Sequence, residues 1–198
     1  MRAFIAIELD DSIKRGLAKL QENLRSDCPH LRWVRPEQIH LTLAFLGEIK
    51  DAQIEPISQA VAAAAAATPD FDFAVEGLGL FPSHGRVNVV WAGVKDAAGE
   101  LAECHRILYE RLADLGFAPD RGRFSPHLTL ARVKSKARRD GDPRASHNLR
   151  ETIAAYAAPR LGPQAARRLT FFESILGAAG PQHRPLSHHN FELMMNDE

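Results

Sequence analysis

The sequence predicts an α+β fold of two lobes. Three observations carry this. Strand-like and helix-like segments are mixed along the 198 residues without strict βαβα alternation. The two halves are similar and share a five-residue repeat. No Pro/Ser-rich linker divides them, so residues 1–198 read as one bilobal unit and not as separable domains.

The elements follow in order. Ala3 to Leu9 reads as a first strand, and Asp10-Asp11-Ser12 supplies N-cap candidates. Ile13, Leu17, Leu20 and Leu24 recur at helical spacing, which predicts an amphipathic helix over 11–26. His30 to Val34 is a short strand, Pro36-Glu37 a turn, and Ile39 to Leu46 a strand ending at Gly47. A second helix spans 51–68, with Pro56 near its start and the Ala62–Ala67 run as a small-residue packing face. Phe71 to Val75 and Val87 to Val94 read as strands, joined by a Gly- and Pro-rich connection from Gly77 to Gly85. Leu101, Cys104, Leu108, Leu112 and Leu115 mark one face of a third helix over 97–115, stopped by Gly116. His127 to Val133 is a strand, 134–146 a polar basic loop and 148–158 a fourth helix. Leu169 to Leu176 and Asn190 to Leu193 are the closing strands.

Composition narrows the function classes. Lys+Arg and Asp+Glu are 25 each, so the chain does not coat nucleic acid through bulk charge, although a local basic face is compatible with neutrality. Two cysteines, Cys28 and Cys104, are too few for a disulfide framework and too far apart for a CxxC pair. No apolar run is long enough to span a membrane, and the N-terminal apolar run meets Glu8 too early for a signal-peptide core. The expectation is a cytoplasmic monomer with no membrane partner.

The repeat carries the chemistry. His40-Leu41-Thr42-Leu43-Ala44 and His127-Leu128-Thr129-Leu130-Ala131 are identical and lie 87 positions apart. With nine His and five Thr, chance supplies roughly 0.2 His-x-Thr pairs, before three further matches are required. In a strand, residues i and i+2 share a face, so each repeat sets an imidazole beside a hydroxyl and turns the intervening Leu the other way. A single His-x-Thr is ordinarily a cross-strand polar pair. Two of them facing one cleft suit a phosphodiester. One His takes a proton from water and the other gives one to the departing oxygen, while Thr42 and Thr129 hydrogen-bond the phosphate. This arrangement calls for no metal and no cofactor. The two motifs are chemically the same, so spacing alone does not separate acid from base.

The tetrapeptides His40–Leu43 and His127–Leu130 resemble the paired motifs of the 2H phosphoesterase superfamily. The flanking Met1–Ile7, Trp33–Ile39, Phe45-Leu46-Gly47, Gly77–Pro82, Val89-Val90-Trp91, Phe124-Ser125-Pro126 and Ala131-Arg132 resemble its bacterial and archaeal RNA 2′,3′-cyclic phosphodiesterases. The resemblance implies two pseudo-symmetric lobes, each an antiparallel sheet with flanking helices, around a central cleft. It implies metal-independent hydrolysis of 2′,3′-cyclic phosphate ends on RNA or nucleotides to 2′-phosphomonoesters, with 2′-5′ RNA ligation in some members. It gives His40 the acid role, His127 the base role, and Arg132 a place at the phosphate. In a regular strand Arg132 would face away from His127, so a bulge or a strand end is needed. The segment Gln182–His189 is polar where the family's last hairpin is apolar and aromatic.

Residues 121–150 carry nine basic side chains against Asp140 and Asp142, either a solvated loop or an RNA-backbone contact. Trp33 and Phe124 are open between base stacking and packing, and Phe45 defaults to the core. His183, His188 and His189 fit no zinc spacing; His84 and His105 read as surface or helix-face residues, and Cys104 as core. The chain lacks GxSxG, P-loop, HExxH and dinucleotide fingerprints. Two alternatives stay open: a nucleotide- or RNA-binding module without catalysis, and a phosphodiesterase for a small cyclic phosphate such as ADP-ribose 1″,2″-cyclic phosphate.

Overall fold

A computed structural model describes residues 1–118, 124–134, 143–156, 159–177 and 180–192. Nine strands are described: β1 (Arg2–Glu8), β2 (Leu31–Trp33), β3 (His40–Glu48), β4 (Phe71–Phe81), β5 (Val89–Lys95), β6 (His127–Val133), β7 (Arg160–Ala166), β8 (Arg168–Gly177) and β9 (Gly180–Asn190). The described helices are α1 (Asp11–Arg25), α2 (Ile54–Ala66), α3 (Glu100–Ala113) and α4 (Pro143–Ala155), with short 3₁₀ turns at Pro36–Gln38 and Asp51–Gln53.

The strands form two sheets, ordered β3-β1-β8-β9 and β2-β6-β5-β4-β7, with antiparallel neighbours throughout. Without β2, the second order becomes β6-β5-β4-β7. Each repeat strand then heads a four-stranded sheet, which is the two-lobed α+β arrangement that the sequence predicts. The seam joins the halves. The Val34 N–H donates to Leu130 O at 2.9 Å, and the buried Gln21 Nε2 donates to both Val34 O (2.8 Å) and Leu130 O (3.0 Å). The β3 and β6 strands lie against each other there.

The helix predictions rest on apolar spacing, and the buried faces follow it. Ile13, Leu17, Leu20 and Leu24 are buried on α1, and Leu101, Cys104, Leu108 and Leu112 on α3. The alanine run of α2 buries Ala64 and Ala65 and lets α2 approach α3. One continuous core collects these faces with Ile5 and Ile7 of β1 and Val90 and Ala92 of β5.

Several strands differ from expectation. The β4 strand does not stop at Val75; it bulges at Glu76-Gly77, where Gly77 has φ 83°, and continues to Phe81. The glycines that read as a connection are therefore strand residues, and β5 begins at Val89 and not at Val87. The sequence reading missed β7, since Gly162 and Pro163 interrupt any strand pattern. An edge position tolerates both, because β7 pairs only with β4. The polar run Gln182–His189 forms most of β9, another edge strand, which needs only modest apolar alternation. The predicted closing strand keeps only Asn190; Glu192 makes an isolated bridge to Pro69, and Leu193 lies outside the described residues. The fourth helix starts earlier, at Pro143, inside the predicted loop; positions 157 and 158 lie outside the described residues.

Candidate active site

The backbone register sets the site. On β3, His40, Thr42 and Phe45 stand opposite Glu8, Ala6 and Phe4 of β1. These partners step by two, so His40, Thr42 and Phe45 share one face, and Leu43 is the extra residue of a bulge. The second repeat does the same. His127, Thr129 and Arg132 stand opposite Gly93, Trp91 and Val89 of β5, with Leu130 extra. Both repeats thus bulge at the residue after the Thr. The bulge puts Leu43 with Ala44, and Leu130 with Ala131, into the core at 4% exposure or less. It also turns Arg132 to the His127 face, which a regular strand would not do. Phe45 occupies the equivalent place in the first repeat and is 62% exposed, so its expected core role is corrected. The apolar sides of both sheets contribute to one core, so the two His–Thr faces lie on the opposite side, flanking the β3–β6 seam.

The two imidazoles are held alike. His40 Nδ1 lies 2.8 Å from Gln38 O, and His127 Nδ1 lies 2.8 Å from Ser125 O. A carbonyl only accepts, so in the neutral ring Nδ1 carries the proton and Nε2 is left as the basic atom. Burial pushes His40 down to about 4, the neighbouring His183 adds to this, and the Gln38 carbonyl and Glu8 oppose it. Burial also lowers His127; the Ser125 carbonyl opposes, and the Arg132 guanidinium adds to the lowering.

Aromatic walls surround each ring. His40 stacks on Phe4 at 4.7 Å, and Phe4 stacks on Phe172 at 5.0 Å. Ala6, which stands opposite Thr42 on the same face between Phe4 and Glu8, has no side chain beyond Cβ to separate the His40 and Phe4 rings. His183 meets both His40 and Phe4 edge-on at 4.9 Å. Gln38 Nε2 donates to Pro181 O at 2.8 Å, which ties the start of β9 to the turn before His40. Across the seam, His127 meets Phe81 edge-on at 4.8 Å, and Phe81 packs on Trp91 at 5.1 Å. Trp91 lies flat on Gly79, where an added Cβ would sit 2.1 Å from the indole.

Sequence reasoning missed His183, Phe4, Phe81 and Trp91 as neighbours of the two histidines. Only tertiary register brings them there. The three C-terminal histidines part company. His183 goes to His40, while His188 Nδ1 is 3.0 Å from Thr170 Oγ1. His189 Nε2 is 3.2 Å from Ser58 Oγ and 2.9 Å from Ser187 Oγ. Glu8 accepts from Arg168 and Thr170. Burial works against its charge, but the Thr170 and Arg168 contacts outweigh burial and hold the carboxyl below its usual range.

Trp33 pairs with Ala131 and packs on the core, with the Arg25 guanidinium 5.9 Å from its ring. Phe124 stacks on His105 of α3 at 3.9 Å, a packing role for both. His84 is exposed and Cys104 buried, as expected. Of the basic segment, Arg121, Arg123, Lys136, Arg138 and Arg139 lie outside the described residues, as does the Arg144 side chain. Arg150 folds back onto the carbonyls of Ser146, Pro82, Ser83 and Gly85. Among the described residues, no helix is long and apolar enough to cross a membrane.

The family description "LigT like Phosphoesterase" matches residues 7–91 and 93–181. An RNA 2′,3′-cyclic phosphodiesterase of Archaeoglobus fulgidus is 34% identical over 186 residues, covering 94% of this chain and 98% of that protein. An RNA 2′,3′-cyclic phosphodiesterase of Geobacillus stearothermophilus is 35% identical over 158 residues, covering 80% of this chain but only 50% of that longer protein. A crystal structure of a Thermus thermophilus protein superposes with a TM-score of 0.80 at 24% identity, covering 98% of this chain and 100% of that one.

Proposed function

Because the chain belongs to the LigT-like phosphoesterase family, we propose that it hydrolyses RNA 2′,3′-cyclic phosphate ends to 2′-phosphomonoesters, with no metal in the reaction, by two-histidine acid–base catalysis. The observation that carries this is the doubled geometry: two His–Thr faces made by matching bulges, each imidazole donating through Nδ1 to a backbone carbonyl. The whole chain works as one bilobal unit, since each half supplies one His and one Thr. Its two free, buried cysteines suit a reducing cytoplasm.

In the reaction, a water oxygen attacks phosphorus and its proton passes to Nε2 of one histidine. The bond from phosphorus to O3′ breaks, and O3′ takes a proton from Nε2 of the other. Thr42, Thr129 and Arg132 hold the phosphate oxygens as charge builds on them. A 5′-hydroxyl in place of water would give a 2′-5′ linkage by the same steps. The resemblance makes His40 the acid and His127 the base. Burial and His183 hold the free His40 neutral near pH 7, so that role requires His40 to take up its proton together with the phosphate anion.

Phosphorus NMR of a mononucleoside 2′,3′-cyclic phosphate, incubated with EDTA, tests the activity. The 2′-phosphate alone is the expected product, and its absence overturns the reading once a cyclic-ended oligonucleotide also fails. His40→Ala and His127→Ala should each lower kcat by about 10²–10⁴. An aryl phosphodiester with a good leaving group needs no acid. Activity on it should recover in the variant that lost the acid and stay low in the variant that lost the base.

A further inference from the structure

The catalytic face of the second sheet does not end at Arg132. The β2 strand pairs with β6 beyond the bulge, in the register Arg32 opposite Arg132 and Trp33 opposite Ala131. Opposite residues share a face, so Arg32 lies on the side of His127 and Thr129, while Trp33 and Ala131 turn to the core. The next residues on that face are His30 and Lys134, joined through Lys134 N–H to His30 O at 3.1 Å. Lys134 Nζ donates to Pro29 O at 2.8 Å, which anchors its ammonium at this edge. All four side chains are exposed.

Two arginines directly opposite each other repel. Among the described residues, neither Arg32 nor Arg132 makes an ion pair. The β5 partner of Arg132 is Val89, not a carboxylate. The sheet therefore concentrates unneutralised positive charge on one face. The stripe starts two registers from Thr129 and runs away from the histidines; at a strand rise of about 3.3 Å per residue, it reaches roughly 15 Å from Thr129 to Lys134. That is further than a single phosphate extends. A cyclic phosphate occupies the 3′ end of a strand, so whatever continues from it lies on the 5′ side.

We infer that Arg32 and Lys134, with His30, continue from Arg132 at the reacting phosphate to form a subsite for the phosphodiester backbone 5′ of the reacting end, which makes this face selective for oligoribonucleotides over mononucleotides. The inference rests on the proposed reaction for the identity of the strand. Arg32 is its defining residue: it comes from the first third of the chain, and only the β2–β6 pairing brings it beside Arg132.

The test is fluorescence anisotropy with a labelled single-stranded oligoribonucleotide ending in a 2′-phosphate, with a mononucleoside 2′-phosphate as competitor. It reads binding without turnover. Arg32→Glu should weaken oligonucleotide binding tenfold or more relative to mononucleotide binding, while Arg32→Lys stays within a few-fold of the parent. The slope of log affinity against log salt should flatten by about one for Arg32→Ala. Equal loss for both ligands, or no loss for the oligonucleotide in Arg32→Glu, overturns the subsite. A parent protein that binds the oligonucleotide with this Arg32 dependence but turns over no cyclic phosphate overturns the proposed reaction and leaves the subsite standing.

Discussion

Acidification tests the environment of His40 most directly. An unburied imidazole titrates near 6.5. In the fold, burial first, and His183 second, bring His40 to about 4. The folded state therefore resists a proton that the unfolded chain accepts. Stability is unaffected above pH 6.5, where neither state is protonated at His40. It falls as pH drops below 6.5, because the unfolded state then binds more protons, and the loss is complete below pH 4. From these two values, the loss is about 2 kcal/mol by pH 5 and about 3 kcal/mol below pH 4. Other groups titrate in the same window, including His127, so the measurement is a difference. Urea midpoints of the parent and of His40→Asn, taken from pH 7.5 to 4, isolate the one residue. The parent should lose this stability in excess of the variant. The reasoning is refuted by curves that stay parallel down to pH 5, or by a His40 imidazole proton resonance that titrates near 6.5.

Three further outcomes follow from packing at and near the site. Gly79→Ala sets a Cβ 2.1 Å from the Trp91 indole, so the ring must move; a loss of about 1–3 kcal/mol is expected, read as a lower Tm with altered tryptophan fluorescence. Gln21→Leu removes the donor that serves the Val34 and Leu130 carbonyls, and the urea midpoint should fall by the equivalent of about 1–3 kcal/mol. Phe45→Ala, at a side chain 62% exposed, should change stability by less than about 0.5 kcal/mol. If a base stacks on Phe45, the same change should weaken binding of the oligoribonucleotide by about 1–3 kcal/mol, and unchanged affinity would remove Phe45 from the binding face.

The first and third helices and the two repeat strands were legible because their side chains follow a period. Ile13, Leu17, Leu20 and Leu24 name a buried stripe wherever the helix packs, and His-x-Thr names a shared face in any strand. Edge strands were not legible. The β7 and β9 strands carry Gly and Pro and bury little, so their extended state is imposed by the β4 and β8 strands beside them. His183 shows the same limit within the site. Its spacing to His188 and His189 fits no zinc pattern and names no other neighbour; hairpin register sends it to His40 and the other two elsewhere.

What the sequence determined by itself is local and repeated: which residue types recur, at which spacing, and therefore that His40, Thr42, His127 and Thr129 lie on strand faces and suit phosphate chemistry. Only the tertiary structure decided which neighbours those faces acquire. The bulges at Leu43 and Leu130 turn Phe45 and Arg132 to the histidine side, and the β2–β6 pairing adds Arg32. The physical reason is that a bulge is defined by two strands together. One extra residue is extra only against a partner, and that partner is distant in the chain.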